Sequence, residues 1–451
     1  MGELSIMKMY INHDYSQLPL SSNDVIPVQI YNRDAVIKKD GIVPRSDVAT
    51  IGSPIINKIQ RLGVPLSEEA MDFLTIALSV IAADTFIDRD ATCDGWTRNI
   101  ELYIPVNNHV QWNSIKPILT KALHFLSGDI WYLNFSTGGY LPPKPFGNSR
   151  HTLVNLNGLD SVSLFSGGLD SAIGVIDLLE EEYKPLLVSH SYKGDKKKQN
   201  SIAPHLKGRL SRFAAFANPR SSGRKTDISM RTRSIIFLAL AVIGCDAVKK
   251  TNNLQNINLF VPENGFISLN APLTNRRIGS LSTRTTHPYF IGLIQDILDQ
   301  IGFNISIKNP YQFKTKGEMV LSCRNLTLLK KIVNDTVSCS HWKRKNQQCG
   351  YCVPCLIRQA ALNKGHITES VLYNYGENDT LAKFVKNNQN GRDDLFSLIR
   401  AIKQLDNVNV KNWVSKSGPL EHQLLPQYED IFKRGLKEVE ELLKRENCFA
   451  Y

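Results

Sequence analysis

The sequence predicts an α/β fold with a helical C-terminal region, and two observations lead to this fold class. Short apolar runs of strand length alternate with longer stretches of helical spacing through most of the chain, as in parallel βαβ units. The breaker cluster "TGGYLPPKPFGNSR" divides this alternation near residue 150. We therefore predict an N-terminal α/β domain at residues 1–150, a second α/β domain at 151–338, a cysteine knuckle at 339–365 and a helical region at 366–451.

In the N-terminal domain, the region up to about residue 55 predicts one or two strands, because short apolar runs alternate there with Asn, Asp, Pro and Gly. The stretch "SEEAMDFLTIALSVIAADTFI" has helical spacing and an acidic first turn, which favours a helix start. After it, "NIELYIPV" predicts a strand, "WNSIKPILTKALHFLS" a helix and "DIWYLNFS" a strand.

In the second domain, "SVSLF", "DSAIGVIDLLEEE" and "KPLLVSHS" form a strand, a helix and a strand, which is one βαβ unit. Further helices are predicted at residues 229–248 and 288–302, with a strand near "NISIKNP". In the C-terminal region, "YEDIFKRGLKEVEELLKRE" predicts an amphipathic helix, because Ile431, Leu436, Val439 and Leu443 lie on one stripe.

Length and composition bound the function. With 451 residues, of which 42% are hydrophobic, the chain can form two or three cores, so disorder is not the default expectation. Its formal charge of +12 favours anionic partners such as nucleotides, nucleic acid or an acidic protein surface. No targeting signal is visible, and the longest apolar run, "SIIFLALAVIGCDAV", is shorter than the roughly 20 residues that span a bilayer. We predict a cytoplasmic protein without a membrane partner.

The loop in "SLFSGGLDSAIG" predicts an anion site, because a strand there turns through glycines into a helix N-terminus. Gly167 and Gly168 permit close approach, and the hydroxyls can donate to phosphate oxygens. Asp170 would repel a phosphate unless it binds the accompanying Mg²⁺, so the loop favours a nucleotide with metal. It lacks the Walker A lysine and the dinucleotide fingerprint, and a plain glycine-rich turn is the alternative. The candidate nucleotide-binding residues are Ser166, Gly167, Gly168, Leu169, Asp170 and Ser171.

The segment "CSHWKRKNQQCGYCVPC" predicts a metal centre. Four thiolates at C-x9-C-x2-C-x2-C spacing can close a tetrahedral zinc site, and a chain without a secretion signal uses such a cluster for metal more readily than for disulfides. An iron–sulfur cluster, which also takes four cysteines, is the alternative. Four cysteine ligands leave no open position, so the metal is expected to be structural. The candidate ligands are Cys339, Cys349, Cys352 and Cys355.

The string S-G-G-x-D-S at residues 166–171 resembles the signature of the PP-loop ATP pyrophosphatases. A PP-loop followed by a C-x9-C-G-x-C-x-x-C knuckle and "LIRQAAL" resembles the zinc-containing 7-cyano-7-deazaguanine synthase (QueC) family. The stretches "VSHSYKGDKKKQ", "MRTRSIIFLALA" and "TKGEMV" are similar to further motifs of that family. The resemblance implies a Rossmann-like PP-loop domain of the adenine nucleotide alpha hydrolase-like fold, with ATP, Mg²⁺ and Zn²⁺ as cofactors. Thr315 and Glu318 of the last stretch also form a T-x-x-E capping box, for which a structural reason suffices.

The resemblance implies an ATP-dependent carbon–nitrogen ligase that adenylates a carboxylate, 7-carboxy-7-deazaguanine in the family, and releases pyrophosphate. Asp170 and Ser171 are the catalytic candidates of the loop. Arg233, which matches the family's arginine, would offset the charge on phosphate together with Lys193 or Lys197. The family's Y-P-D-C-R segment is replaced here by "VPENGFISLNAPLTNRRIGSLSTRTTHP", for which an ordinary polar loop is the alternative. Its candidates for reading a purine edge and a carboxylate are Glu263, Asn264, Arg284 and His287.

The added N-terminal domain and helical tail resemble QatC-type, extended QueC-like components of prokaryotic antiviral defence. This resemblance implies a protein partner from the same defence operon, bound by residues 1–150. The acyl acceptor stays open between ammonia, which leads to a nitrile, and an amine of the partner, which leads to a conjugate. The alternative functions are a PP-loop or zinc module acting on nucleic acid, not expected as the direct substrate, and a nucleotide sensor without turnover.

Overall fold

Two five-stranded parallel sheets organise the chain. The computed structural model describes residues 6–36, 45–147, 151–191, 195–206, 210–221, 223, 226–227, 231–274, 284–342, 347–375, 380–387 and 393–448. The first sheet has the order β3-β2-β1-β4-β5, and the second has the order β8-β7-β6-β9-β10. Each sheet is therefore wound 3-2-1-4-5, the order of doubly wound nucleotide-binding folds. The strands are β1 (Ile6–Asn12), β2 (Val25–Ile30), β3 (Ala49–Ile51), β4 (Asn99–Pro105), β5 (Ile130–Ser136), β6 (Ser161–Leu164), β7 (Pro185–His190), β8 (Arg212–Ala215), β9 (Ile257–Phe260) and β10 (Ile305–Lys308).

Three helices accompany the first sheet: α1 (Ile55–Gln60), α2 (Glu68–Phe86) and α3 (His109–Ser127). The start of α2 follows the predicted signals, because Ser67 accepts a hydrogen bond from the Ala70 amide and two glutamates occupy the first turn. Nearly every residue of α2 is buried. A helix buried all round belongs inside the molecule, and α2 lies between the two halves of the chain.

Five helices accompany the second sheet. Among them, α6 is buried along most of its length and packs on β6 and β7 on one side and on α2 on the other. Apolar residues of both sheets consequently share one continuous core. The helices are α4 (Leu169–Glu180), α5 (Asp195–Ile202), α6 (Arg233–Asn252), α7 (Gly265–Leu269) and α8 (Pro288–Ile301).

A buried ion network joins the two halves at the start of α6. The Arg98 guanidinium, fully buried, donates to Asp84 and to Asp129 at 2.7 Å each. Asp84 also accepts from the backbone N–H and the hydroxyl of Thr232, the residue before α6. Because buried charges are stable only when they are paired and hydrogen-bonded, this network fixes where α6 begins against the first sheet.

The C-terminal part of the chain is helical. Its last helix, α15, buries an apolar stripe that includes Ile431, Leu436, Val439 and Leu443, as its pattern predicts. This stripe packs against α7, α11, α13 and α14. The helices are α9 (Lys316–Leu321), α10 (Leu326–Ile332), α11 (Val353–Lys364), α12 (Leu381–Asn387), α13 (Asp393–Gln404), α14 (Val410–Ser415) and α15 (Leu425–Arg445).

The α/β fold class with a helical C-terminal region is confirmed. The short strands β3, β8 and β9 are additions to the predicted elements, and α6 begins at Arg233, four residues after the predicted start. The proposed boundary near residue 150 falls between β5 and β6, and the division into domains stays a prediction. Among the described residues, no helix is long and apolar enough to cross a membrane.

Candidate phosphate loop and four-cysteine centre

The S-G-G-x-D-S stretch forms a tight loop between β6 and α4. Gly168 is the N-cap residue of α4, and no side chain caps it there. The Ser166 hydroxyl accepts from the Gly168 amide at 3.2 Å, and the Ser171 hydroxyl donates to the Gly168 carbonyl at 3.0 Å. The two hydroxyls are 3.2 Å apart. The start of α4 therefore presents amides and two hydroxyls at one point, which suits an anion.

Both glycines of the loop have close neighbours. Gly167 has a φ of +83°, in the left-handed region, and a Cβ there would lie 3.3 Å from the Gln199 side chain of α5. A Cβ on Gly168 would lie 3.3 Å from the Val337 carbonyl. Hydrogen bonds hold both neighbours in place, from Gln199 Nε2 to the Ser166 carbonyl and from the Val337 amide to the Gly167 carbonyl. The loop is thus enclosed by α5 and by the segment that precedes the cysteines.

Asp170 is buried in the first turn of α4, next to a lysine that the sequence analysis did not select. The Lys316 ammonium lies 3.0 Å from Asp170 Oδ1, and Asn264 donates to Oδ2 from its side chain at 2.7 Å and from its backbone at 3.2 Å. Burial alone would raise the pKa of Asp170, but Lys316 and these hydrogen bonds hold that pKa down, at about 2. Asp170 is therefore ionised.

Glu263, three residues after the end of β9, lies beside this pair. Burial and the Asp170 charge raise the pKa of Glu263 well above its ordinary value, which favours the protonated form that can donate to Asp170. Because β6 and β9 are the neighbouring strands at which the strand order reverses, the cluster lies in the switch-point crevice, where α/β sheets bind their ligands.

Lys316 is the important residue that sequence reasoning missed. Lys316 lies in "TKGEMV", and the capping box of Thr315 and Glu318 predicted there is confirmed. Because this box was a sufficient reason for the stretch, its lysine was not selected. Lys316 is 4% exposed. A lysine at the first position of a capped helix, in a stretch that resembles a family motif, is the signal that could have identified it.

The remaining predicted site residues fall into separate places. Leu169 has its side chain in the core beside Phe165, so only its backbone faces the loop. Arg233 begins α6, with its guanidinium 5.3 Å from the Phe237 ring. Lys193 lies outside the described residues. The structure thus brings together Asp170, Ser171, Glu263 and Asn264, and the roles of all these residues stay predictions.

Arg284 and His287 make structural contacts beside α3. Arg284 donates to the Phe125 carbonyl at 2.9 Å, and its guanidinium lies 4.4 Å from the Phe125 ring. His287 is fully buried, with Nε2 at 3.0 Å from the Ser417 hydroxyl. Burial, and then the Arg284 charge, lower the pKa of His287 to about 3. His287 is therefore neutral, and the hydrogen bonds shown for both residues are made within the protein.

The four cysteines converge on one buried point. The Sγ atoms of Cys339, Cys349, Cys352 and Cys355 all lie within 4.8 Å of one another, and two of the pairs are 4.0 Å apart. A tetrahedral zinc with Zn–S bonds of about 2.3 Å separates its sulfurs by about 3.8 Å. A four-iron cluster holds its cysteines on the outside of a cube, much further apart. The donor set therefore fits a single tetrahedral ion, which indicates zinc.

Backbone amides surround these sulfurs, as expected for thiolate ligands. The amides of His341 and Cys349 donate to Cys339 Sγ at 3.3 Å, and the Cys352 amide donates to Cys349 Sγ at 3.3 Å. The centre is also continuous with the phosphate loop, because Val337, which binds Gly167, precedes Cys339 by two residues. The metal centre thus fixes the segment that encloses the loop.

Together these features define an α/β protein with a phosphate-type loop at the switch point of its second sheet and a four-cysteine centre beside it. Residues 286–366 match the family of the queuosine biosynthesis protein QueC. The matched segment includes Lys316 and the four cysteines, while the phosphate loop lies before it. The match supports a PP-loop, ATP-utilising enzyme of the QueC type. No curated protein sequence matches the chain.

Proposed function

We propose that this protein is an ATP-dependent carbon–nitrogen ligase that adenylates 7-carboxy-7-deazaguanine and passes the acyl group to an amine, in anti-phage defence. The observation that carries the proposal is the ionised Asp170 paired with Lys316 at the uncapped start of α4, in a chain whose following segment matches QueC. The substrate and the setting are those that the family resemblance implies.

The loop residues are suited to the phosphates of ATP. In the proposed complex, the amides of residues 167–169 and the hydroxyls of Ser166 and Ser171 donate to phosphate oxygens. A Mg²⁺ ion, which takes carboxylate and phosphate oxygens, would neutralise phosphate charge and would be held by Asp170. Lys316 would then share its charge between Asp170 and the phosphates. Arg233, at the start of α6, would add a second cation, a role that the family resemblance implies.

The proposed reaction has two steps. A carboxylate oxygen of the substrate attacks the α-phosphorus of ATP, the new O–P bond forms, and the bond to the pyrophosphate oxygen breaks. The amine nitrogen then attacks the acyl carbon of the adenylate, the C–O bond to AMP breaks, and the nitrogen loses a proton. Lys316 and Arg233 stabilise the negative charge that builds on the phosphates in the first step. Asn264 and Glu263 are proposed to contact the substrate from the β9 side of the crevice.

Two amines fit the second step. Ammonia gives an amide, which a second ATP converts to a nitrile, as the family resemblance implies. An amine of a partner protein, docked on the N-terminal domain, gives a stable conjugate. A mass increase on a co-expressed partner supports conjugation, and accumulation of the free nitrile alone contradicts it.

ATP–pyrophosphate exchange tests the first step without knowledge of the amine. We expect exchange that depends on 7-carboxy-7-deazaguanine and Mg²⁺, and its loss in Asp170→Asn. The control variant is Glu441→Gln, whose residue is exposed on α15. Folded, zinc-loaded protein that shows no exchange with this carboxylate, alone or with its partner, would contradict the proposal.

A further inference from the structure

Glu438, near the end of the last helix, is a buried carboxylate that contacts the turn around Lys316. It is 5% exposed. Its Oε1 accepts from the Thr315 hydroxyl and, at 2.8 Å, from the Lys364 ammonium. Its Oε2 accepts from the Gly317 amide at 3.1 Å. Glu438 therefore bonds to the residues on both sides of Lys316.

The backbone of this turn is shaped to admit the carboxylate. A Cβ on Gly317 would lie 2.7 Å from Oε1 and 2.8 Å from Oε2 of Glu438. Real Cβ atoms do not approach oxygen so closely, so the contact requires glycine at this position. Fixed contacts of this kind set the direction in which the intervening side chain leaves the backbone.

A second residue of α15 holds the other end of the same turn. Arg434, about one helical turn before Glu438, forms an ion pair with Glu318 and donates to the Phe313 carbonyl at 3.0 Å. The turn at residues 315–318 is thus bound to α15 at both of its ends. Lys316 lies between these contacts, and its ammonium is 3.0 Å from Asp170 Oδ1.

We propose that Glu438 is a positioning residue for the nucleotide site, which acts on the phosphate loop through Lys316. The proposal rests on the proposed function, because it assumes that the pair of Lys316 and Asp170 binds or activates ATP. Glu438 lies outside the segment that matches QueC. The C-terminal helical region therefore has a role at the site, because it positions Lys316, in addition to burying apolar residues of the core.

A double-mutant cycle in the full chain tests this role. We expect Glu438→Gln to lower kcat for ATP–pyrophosphate exchange at least tenfold, with a smaller change in KM for ATP. In a Lys316→Ala background the same substitution should lower kcat less than twofold. The loss in melting temperature should be equal in both backgrounds. Glu441→Gln, exposed on the same helix, is the control. An equal fold loss of kcat in both backgrounds would overturn the proposal.

A second readout does not depend on turnover. Lys316 is buried in the native protein and should resist an amine-reactive reagent, measured by peptide mass spectrometry at low reagent concentration. Glu438→Gln, and Gly317→Ala from the other side of the contact, should raise its labelling rate at least fivefold while surface lysines keep theirs. Unchanged labelling in both folded variants would refute positioning. If wild-type protein shows no exchange but the labelling rises, only the proposed function fails.

Discussion

The two five-stranded sheets share one strand order, but their first strands lead into different structures. In the second sheet, β6 ends at the Ser-Gly-Gly loop and continues into the twelve-residue helix α4. In the first sheet, β1 is followed by a single 3-10 turn at Tyr15–Gln17, with Asp14 as its cap. The helix N-terminus that is proposed to bind phosphate in the second sheet has no counterpart at the same place in the first.

In the first sheet, α3 starts beside the switch point, and a side chain of the protein itself accepts hydrogen bonds from the backbone N–H groups at this start. Asp72, fully buried on α2, accepts from the amides of Asn107 and Asn108 and from the indole of Trp112. Its carboxylate thus occupies the N-terminus of α3, where an anionic ligand would otherwise bind. The comparison teaches that a shared topology provides the crevice, while the residues of the loops decide whether a ligand or an internal carboxylate fills it.

The largest effect is expected from Lys316→Ala. Removing the ammonium leaves Asp170 buried without its charge partner and removes one cation from the proposed phosphate site. We expect kcat for ATP–pyrophosphate exchange to fall by about 10²- to 10³-fold. Lys330→Ala, exposed on α10, is the control. Activity within a few-fold of wild type would show that the crevice of the second sheet is not the nucleotide site, and the contrast between the sheets would lose its functional meaning.

Loss of the metal should affect stability first and the loop second. Cys352→Ser removes one of four ligands, so we expect bound zinc, measured by elemental analysis, to fall from one per chain to near zero. Unfolding free energy should fall by about 4 kcal/mol or more. Because Val337 joins the centre to Gly167, KM for ATP should also rise. Cys93→Ser, at an exposed and separate cysteine, should change neither, and retention of zinc in Cys352→Ser would contradict a four-cysteine site.

Asp72→Asn tests the first sheet alone. An amide accepts fewer hydrogen bonds than the carboxylate and turns a donor toward the amides of Asn107 and Asn108, which should destabilise the fold by about 2–3 kcal/mol. Urea unfolding measures this change, with the exposed Glu68→Gln on the same helix as the control. KM for ATP should stay unchanged, because no nucleotide is expected in the first sheet. A rise in KM without loss of stability would mean that this crevice also binds a ligand.

Much of this structure follows from sequence pattern. The long helices α3 and α15 have clear apolar periodicity, α2 is marked by its length and its acidic first turn, and the loop and the cysteine cluster are marked by their residue spacing. The strands β3, β8 and β9 have only three or four residues, which leaves little alternation to detect. The equally short β6 was predicted because the glycine loop and α4 follow it directly. The fully buried α2 has no polar face, so its position between the sheets is set by tertiary packing.

The candidate site was predictable only in its contiguous parts. Asp170 and Ser171 belong to one string, whereas Lys316 and Glu438 reach the site from distant segments through tertiary contacts. Because helix capping by Thr315 and Glu318 was a sufficient explanation of "TKGEMV", its lysine was not considered as a site residue. For His287, a polar sequence segment suggested substrate contact, which stays a prediction, while its burial beside Ser417 was not visible from the sequence.

The smallest effect concerns His287, which lies where α3 of the first half meets the C-terminal region, with its ring 5.0 Å from that of Phe125. Burial lowers its pKa from 6.5 to about 3. Between these values the unfolded chain binds a proton that the folded protein does not. The free energy of unfolding is therefore unaffected by His287 above pH 6.5 and decreases as the pH falls toward 3. At pH 5 the cost is about 2 kcal/mol.

His287 is also the N-cap residue of α8, where its side chain accepts from the Tyr289 amide. His287→Asn removes the titrating group and keeps a residue that can cap this helix. The variant should lose less unfolding free energy than wild type when the pH of urea titrations is lowered from 7.5 to 5.0, even if it is less stable at both. His422→Gln, at an exposed histidine, should follow the wild-type pH dependence. Identical losses in wild type and His287→Asn would mean that His287 becomes protonated without unfolding, and that this contact between the halves opens more readily than its burial indicates.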